Sequence, residues 1–182
     1  MKKIAIILAD GVEETEFIAV GDVLRRLSIE VVVAGLTGID VKGGHGFGLK
    51  ADRLLAECSP AEFDAVFLPG GMGGARAMYE SAAVIEFLRE MERSGRVVSA
   101  ICAAPMVLGK AGLLAGKRFT MYPGLEQYLP EGCRPGPEPA VRDGRLVTGK
   151  AAGTVFAFAR ELAAALGADT SAVYAGMFVP QP

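Results

Sequence analysis

Val97-Val98-Ser99-Ala100-Ile101-Cys102-Ala103-Ala104-Pro105-Met106-Val107-Leu108 is the stretch on which the fold turns. It reads as a short apolar strand, a sharp turn with one cysteine at its apex, and a helix that starts at once. Ala100 and Ala104 flank the apex with small side chains, as a strand-to-helix elbow needs when its central residue is forced into a strained conformation. Pro105 suits a first helical turn, where no N–H is required and the fixed φ is already helical. A thiol at such an apex faces the positive end of a helix dipole and free backbone N–H groups. Both favour the thiolate, so the pattern predicts a depressed pKa and a reactive sulfur. The alternative is a cysteine buried as a small hydrophobe, and the segment alone leaves both open.

Working outward, Lys3-Ile4-Ala5-Ile6-Ile7-Leu8-Ala9 and Asp64-Ala65-Val66-Phe67-Leu68-Pro69 are continuous apolar runs of strand length, the signature of strands covered on both faces. Residues 29–35 form another. Between the first two strands, Asp10-Gly11 breaks the run and Glu13-Glu14-Thr15-Glu16 opens a helix whose apolar residues Phe17, Val20, Val23, Leu24 and Leu27 recur at helical spacing. Glu13 and Glu14 read as carboxylates complementing the helix dipole. Glu16 lies at the C-terminal side of the first strand, where doubly wound sheets place their ligands, and is free to reach inward.

Gly70-Gly71-Met72-Gly73-Gly74 lets backbone approach backbone or ligand closely. Arg76 stands where a dinucleotide fingerprint needs its third glycine, and no Walker A pattern occurs, so a backbone oxyanion site is expected rather than a phosphate cradle. A flavodoxin-like nucleotide or flavin binder is disfavoured for the same reason. Helical residues are expected through about Arg93, a short strand ending at Phe119-Thr120-Met121-Tyr122-Pro123, a hairpin over residues 141–147 with an Asp143-Gly144 turn, and a helix from Thr154 to Leu166 stopped by Gly167. Pro130, Pro135, Pro137 and Pro139 mark a loop. The apolar tail from Phe178 to Pro182 is too short for a further domain. Gly43-Gly44-His45-Gly46-Phe47-Gly48 reads as a hairpin turn carrying the single histidine, a solvated loop residue rather than a base.

Composition narrows the function classes. With 182 residues the chain suits a single domain over 1–182, long enough to bury roughly 70% of its unfolded surface. Its net charge of −2, with both signs scattered, gives no basic face for nucleic acid. No apolar run approaches the roughly 20 residues of a membrane span, and Met1-Lys2-Lys3 leads directly into a strand rather than a signal core, so a cytoplasmic protein without membrane contact is expected. Cys58, Cys102 and Cys133 are widely spaced and odd in number, which argues against a disulfide framework or a zinc site.

Three motifs in order, Ile7 to Glu16, Leu68-Pro69-Gly70-Gly71 and Ala100-Ile101-Cys102-Ala103-Ala104-Pro105, resemble the ThiJ/PfpI family, in the branch of the human parkinsonism-associated deglycase. Val33-Ala34-Gly35-Leu36 and Gly153-Thr154 extend the likeness over nearly the whole chain. The resemblance implies a flavodoxin-like α/β/α sandwich with a mostly parallel sheet and a nucleophile elbow, and a homodimer. It implies Cys102 as nucleophile, Glu16 as its protonated partner, and the N–H groups of Gly71 and Ala103 as oxyanion site, with no cofactor and no metal. The implied substrates are small aldehydes such as methylglyoxal or glycated proteins, in glyoxalase III or deglycase chemistry. The branch is also described as oxidative-stress sensors and redox chaperones, so oxidation of Cys102 is the alternative function. One departure stands out: the branch carries histidine before the proline that matches Pro123, and this chain has Tyr122. A phenol with a pKa near 10 is a poor base at neutral pH, which shifts proton transfer to Glu16. Ala103 directly after Cys102 speaks against the protease branch, which has histidine there.

Overall fold

In the computed structural model, which describes residues 1–180, strands and helices alternate along the chain. The order is β1 (Lys3–Leu8), α1 (Glu14–Arg26), β2 (Glu30–Gly35), β3 (Asp40–Lys42), β4 (Gly48–Lys50), β5 (Arg53–Leu54), β6 (Ala65–Leu68), α2 (Met72–Glu80) and α3 (Ala82–Arg93). Then follow β7 (Val97–Ile101), α4 (Pro105–Lys110), β8 (Ala140–Asp143), β9 (Leu146–Gly149), α5 (Val155–Ala165) and α6 (Ser171–Gly176). Seven strands make one sheet in the order β5-β2-β1-β6-β7-β9-β8, and β3 pairs with β4 in a separate hairpin. Every pairing in the large sheet is parallel except β8 with β9.

Period-two alternation sorts the central strands between two cores. Ile4, Ile6 and Leu8 of β1 point to the side that holds Phe17, Val20 and Leu24 of α1 and Phe158 and Leu162 of α5. Ala5 and Ile7 point to the opposite side, with Met78 of α2, Leu88 of α3 and Met106 and Leu108 of α4. The protein is thus a three-layer α/β/α sandwich. Because both faces of β1, β6 and β7 are covered, their sequences are apolar apart from Lys3 at the start of β1 and Ser99 in β7, instead of alternating with polar residues. Ser99, the one hydroxyl inside β7, is fully buried and donates to Val66 O across the ladder at 2.8 Å. No helix among the described residues is long and apolar enough to cross a membrane.

The helical residues do run to Arg93, as two helices, because Ser81 leaves helical geometry and its side chain caps α3 by accepting from Val84 N. Two expectations need correction. Phe119 to Met121 is buried but forms no strand. Its N–H groups go elsewhere: Thr120 N donates to Thr148 Oγ1 and Tyr122 N to Cys102 O, so no ladder forms. Finally, α4 starts three residues after Cys102 rather than at once, after a turn closed by Ala104 N to Ile101 O. Residues 181 and 182 of the apolar tail lie outside the described residues.

Candidate active site

The C-terminal ends of β6 and β7 are adjacent in the sheet, and each strand leaves it through a turn with a positive φ. After β6 the positive angle falls on Gly71 (φ 81), and α2 begins on the next residue. After β7 it falls on Cys102 (φ 62), where a side chain pays about 1–2 kcal/mol that glycine does not. The strained cysteine is held from both sides: its N–H donates to Gly149 O at 2.9 Å and its C=O accepts from Tyr122 N at 2.8 Å. The side chain is half-buried, so the sulfur is held yet within reach of solvent.

Glu16 enters from α1. It sits in the first turn on the helix face that packs on the sheet, and it is fully buried. Oε2 accepts from Gly70 N at 2.7 Å. Oε1 is buried without a hydrogen-bond partner among the described residues, and the Cys102 side chain lies near enough to the same carboxyl to act on its pKa. A bare carboxylate oxygen in such a place costs several kcal/mol, whereas a protonated carboxyl carries no charge to desolvate. Burial accordingly lifts the Glu16 pKa to about 7, against the lowering effect of the Gly70 N–H and Cys102.

The depressed thiol pKa expected from the sequence is reversed. Burial pushes Cys102 up to about 12, the charge and hydrogen bond of Glu16 push in the same direction, and the N–H groups of Gly71 and Ala103 oppose them. The dipole argument fails for two reasons: α4 is only six residues long and begins beyond Ala104, while a carboxyl group that sequence distance hides lies against the sulfur. A thiolate is favoured in the microstate in which Glu16 carries the proton, since that removes the repulsion and leaves the two N–H donors.

Cys102, Glu16, Gly71 and Ala103 therefore converge. Tyr122 meets the site through its backbone only; its ring is 49% exposed and makes no hydrogen bond to Cys102 or Glu16 among the described residues. Gly70 is a participant that residue-type reasoning passed over. A Cβ there would lie 2.6 Å from Cys102 Cβ and 2.7 Å from Glu16 Oε2, so only glycine lets nucleophile, carboxyl and turn close together. The signal was the glycine run, read for close backbone approach but without the partners that need the room.

Next to this site, His45 is exposed as expected, yet it is not free. Its ring Nδ1 lies 2.9 Å from Glu14 Oε2, and its backbone N–H donates to Glu14 Oε1 at 2.8 Å. Burial raises the Glu14 pKa, but these bonds, its own N–H and that of Phe47 outweigh burial and hold it at about 2. Glu14 thus anchors the glycine loop in addition to sitting at a helix start. Glu13, Glu14 and His45 are the described residues whose ligand atoms cluster closely enough to hold a metal ion; Cys102 and Glu16 are not among them.

A model of the DJ-1/PfpI family matches residues 2–165. The chain is 43% identical over 164 residues to protein dj-1beta of Drosophila melanogaster, covering 89% of this chain and 88% of that protein. The crystal structure of Drosophila melanogaster DJ-1beta superposes with a TM-score of 0.93 at 41% identity, covering 99% of both chains. A deglycase of Pyrococcus abyssi is 34% identical over 160 residues, covering 87% of this chain and 96% of that protein. Oxidised DJ-1 of Toxoplasma gondii superposes with a TM-score of 0.92 at 30% identity, covering all of both chains.

Proposed function

The chain belongs to the DJ-1/PfpI family, and from that premise we propose that it is a cysteine-dependent enzyme acting without cofactor on 2-oxoaldehydes such as methylglyoxal, or on their protein adducts. The observation that carries the reading is the convergence on one sulfur of a buried carboxyl and two backbone N–H donors, at a residue held in the left-handed region. The deglycase name of the Pyrococcus relative supports the substrate class.

In this reaction the Cys102 thiolate adds to the aldehyde carbon, and the carbonyl electron pair moves to oxygen, which takes the proton carried by Glu16 to give a hemithioacetal and leave Glu16 as the carboxylate. The N–H groups of Gly71 and Ala103 stabilise the developing oxyanion. Glu16, poised near neutrality, removes the hydrogen of that carbon as a proton and returns it to the neighbouring carbon through an enediol. The product is a lactoyl thioester. Water cleaves it, releasing lactate and restoring the thiol, and no external oxidant or reductant enters.

Methylglyoxal consumption and lactate formation test the proposal directly. Cys102→Ser should abolish both, and Glu16→Gln should lower turnover by about 10²–10⁴-fold while leaving the fold intact. Lactate formation by Cys102→Ser at the parent rate overturns it.

A second reading, a peroxide sensor, is supported by the relative solved in an oxidised state. Two peroxides, each reduced to water, would take the Cys102 thiol to a sulfinate whose oxygens the same N–H groups and a protonated Glu16 can bind. Intact mass after graded peroxide, beside the lactate assay, separates the two: stoichiometric gain of two oxygens without turnover selects the sensor. A homodimer in the cytoplasm is proposed for either reading.

A further inference from the structure

Glu13, Glu14 and His45 present one ligand atom each within 4.8 Å of one another. The two glutamates open α1, while His45 arrives 31 residues later on the loop between β3 and β4. That approach is possible because Gly43 has no side chain; the Glu14 carboxyl occupies the space a Cβ would need. His45 Nδ1 stands 2.9 Å from Glu14 Oε2 and 3.5 Å from Glu13 Oε2. Neighbouring ligands bonded at zinc–nitrogen and zinc–oxygen lengths are themselves roughly 2.9–3.5 Å apart in four- or six-coordinate geometry. Both distances from His45 Nδ1 therefore match the spacing of one coordination shell, and the two carboxylate oxygens lie within 4.8 Å of each other.

The electrostatics point the same way. The Glu13 side chain is only 18% exposed, and among the described residues its cationic neighbour is the His45 ring at 3.5 Å, too long for a good hydrogen bond. Two carboxylates face one imidazole, and the partial positive charge at the start of α1 offsets only about half a unit of the remainder. A divalent cation supplies the missing charge. Oxygen ligands alone would suit magnesium or calcium, whereas a set that includes imidazole suits zinc and its neighbours.

We propose that Glu13, Glu14 and His45 form a Zn²⁺ site, with the remaining coordination left to water. Binding removes the Nδ1 proton that otherwise bridges to Glu14, so the ring enters as neutral imidazole and affinity falls as His45 becomes protonated. The site borders the cysteine but shares no ligand with it: Glu13 N donates to Gly70 O at 3.0 Å, and Gly70 N turns the other way to Glu16. The proposal consequently does not depend on the chemistry assigned to Cys102.

Calorimetric titration of the chelator-stripped full chain with Zn²⁺ near neutral pH tests it. One Zn²⁺ per chain is expected, with Mg²⁺ binding far more weakly. His45→Ala and Glu13→Gln should each weaken Zn²⁺ by at least about tenfold, and Cys102→Ser should leave it unchanged. Glu13→Gln keeps the helix start and the backbone bond to Gly70, and metal-free melting temperatures confirm that both variants are folded. Undiminished affinity in both variants, no saturable binding by the parent, or loss of binding in Cys102→Ser overturns the assignment.

Discussion

The turns after β6 and β7 are structural neighbours built to the same plan and filled with opposite residues. Both leave a buried parallel strand at its C-terminal end, both place one residue at positive φ, and both hand the chain to a helix. In the first turn the residue is Gly71, whose missing Cβ lets the chain pack against the backbone of Gly11, Val12 and Glu13. In the second it is Cys102, which adopts the same angle at a cost and turns a sulfur toward the first turn's N–H. Glycine there serves packing. Cysteine there serves chemistry, since a fold wanting only the turn would be better served by glycine.

The largest effect expected from testing this contrast comes from Gly71→Ala. The new Cβ meets the Gly11 carbonyl and the Glu13 N–H, and the positive φ adds its own penalty. Urea denaturation should show a loss of at least about 3 kcal/mol. A loss below about 1 kcal/mol would mean that the first turn tolerates a side chain and that the contrast with Cys102 is empty.

Next in size is the pH dependence contributed by Glu16, which touches both turns. Its folded pKa, about 7, lies above the ordinary carboxyl value of 4.5. The associated stability is therefore fully present below about pH 4.5 and is lost as pH rises to and through about 7. At about 1.4 kcal/mol per unit this amounts to up to about 3 kcal/mol. Glu16→Gln, which cannot ionise, should match the parent near pH 4 and exceed its stability above pH 7. Denaturation curves that run parallel at all pH values remove Glu16 from the buried ionisable position described here.

A smaller, kinetic effect is expected for alkylation of the thiol. Because the Glu16 charge helps hold Cys102 in the thiol form, Glu16→Gln should raise the iodoacetamide rate at slightly alkaline pH by about tenfold. The same substitution should leave Cys58 unchanged; burial pushes its thiol up without any part played by Glu16. A slower Cys102 in the variant would show that the carboxyl assists ionisation by hydrogen bonding more than it opposes it by charge.

The smallest effect concerns strain itself. Cys102→Gly should be about 1 kcal/mol more stable than Cys102→Ala, since the glycine removes the left-handed penalty and keeps most of that gain after its larger unfolded-state entropy. Thermal melting of the pair decides the matter. If alanine is the more stable of the two, the second turn holds no strain.

Legibility from sequence follows the range of the forces involved. β1 was readable to within one residue because a strand buried on both faces must be apolar along its length, and every residue after Lys3 is. The turn at Cys102 was readable because small neighbours and Pro105 restrict the backbone locally. The break at Ser81 was not, although a serine ahead of a run with helical apolar spacing is an N-cap signal. β5, two residues long, carries no periodicity at all and exists because β2 offers Ala34 and Gly35 as partners. Phe119 to Met121 reads as a strand and is buried like one, and only the destinations of the N–H groups in and after it distinguish it from one.

The sequence by itself determined the layered α/β architecture, the elbow at Cys102 and the family, all of which rest on runs of neighbouring residues and the conformations these allow. The tertiary structure alone decided the state of the site. Glu16 is 86 positions from Cys102 in the chain, and its effect on the sulfur depends on burial and on which carboxyl oxygen Gly70 holds. Desolvation and charge act through space, so a helix start that promised a more acidic thiol became, once Glu16 was folded against it, a thiol pushed up to about 12.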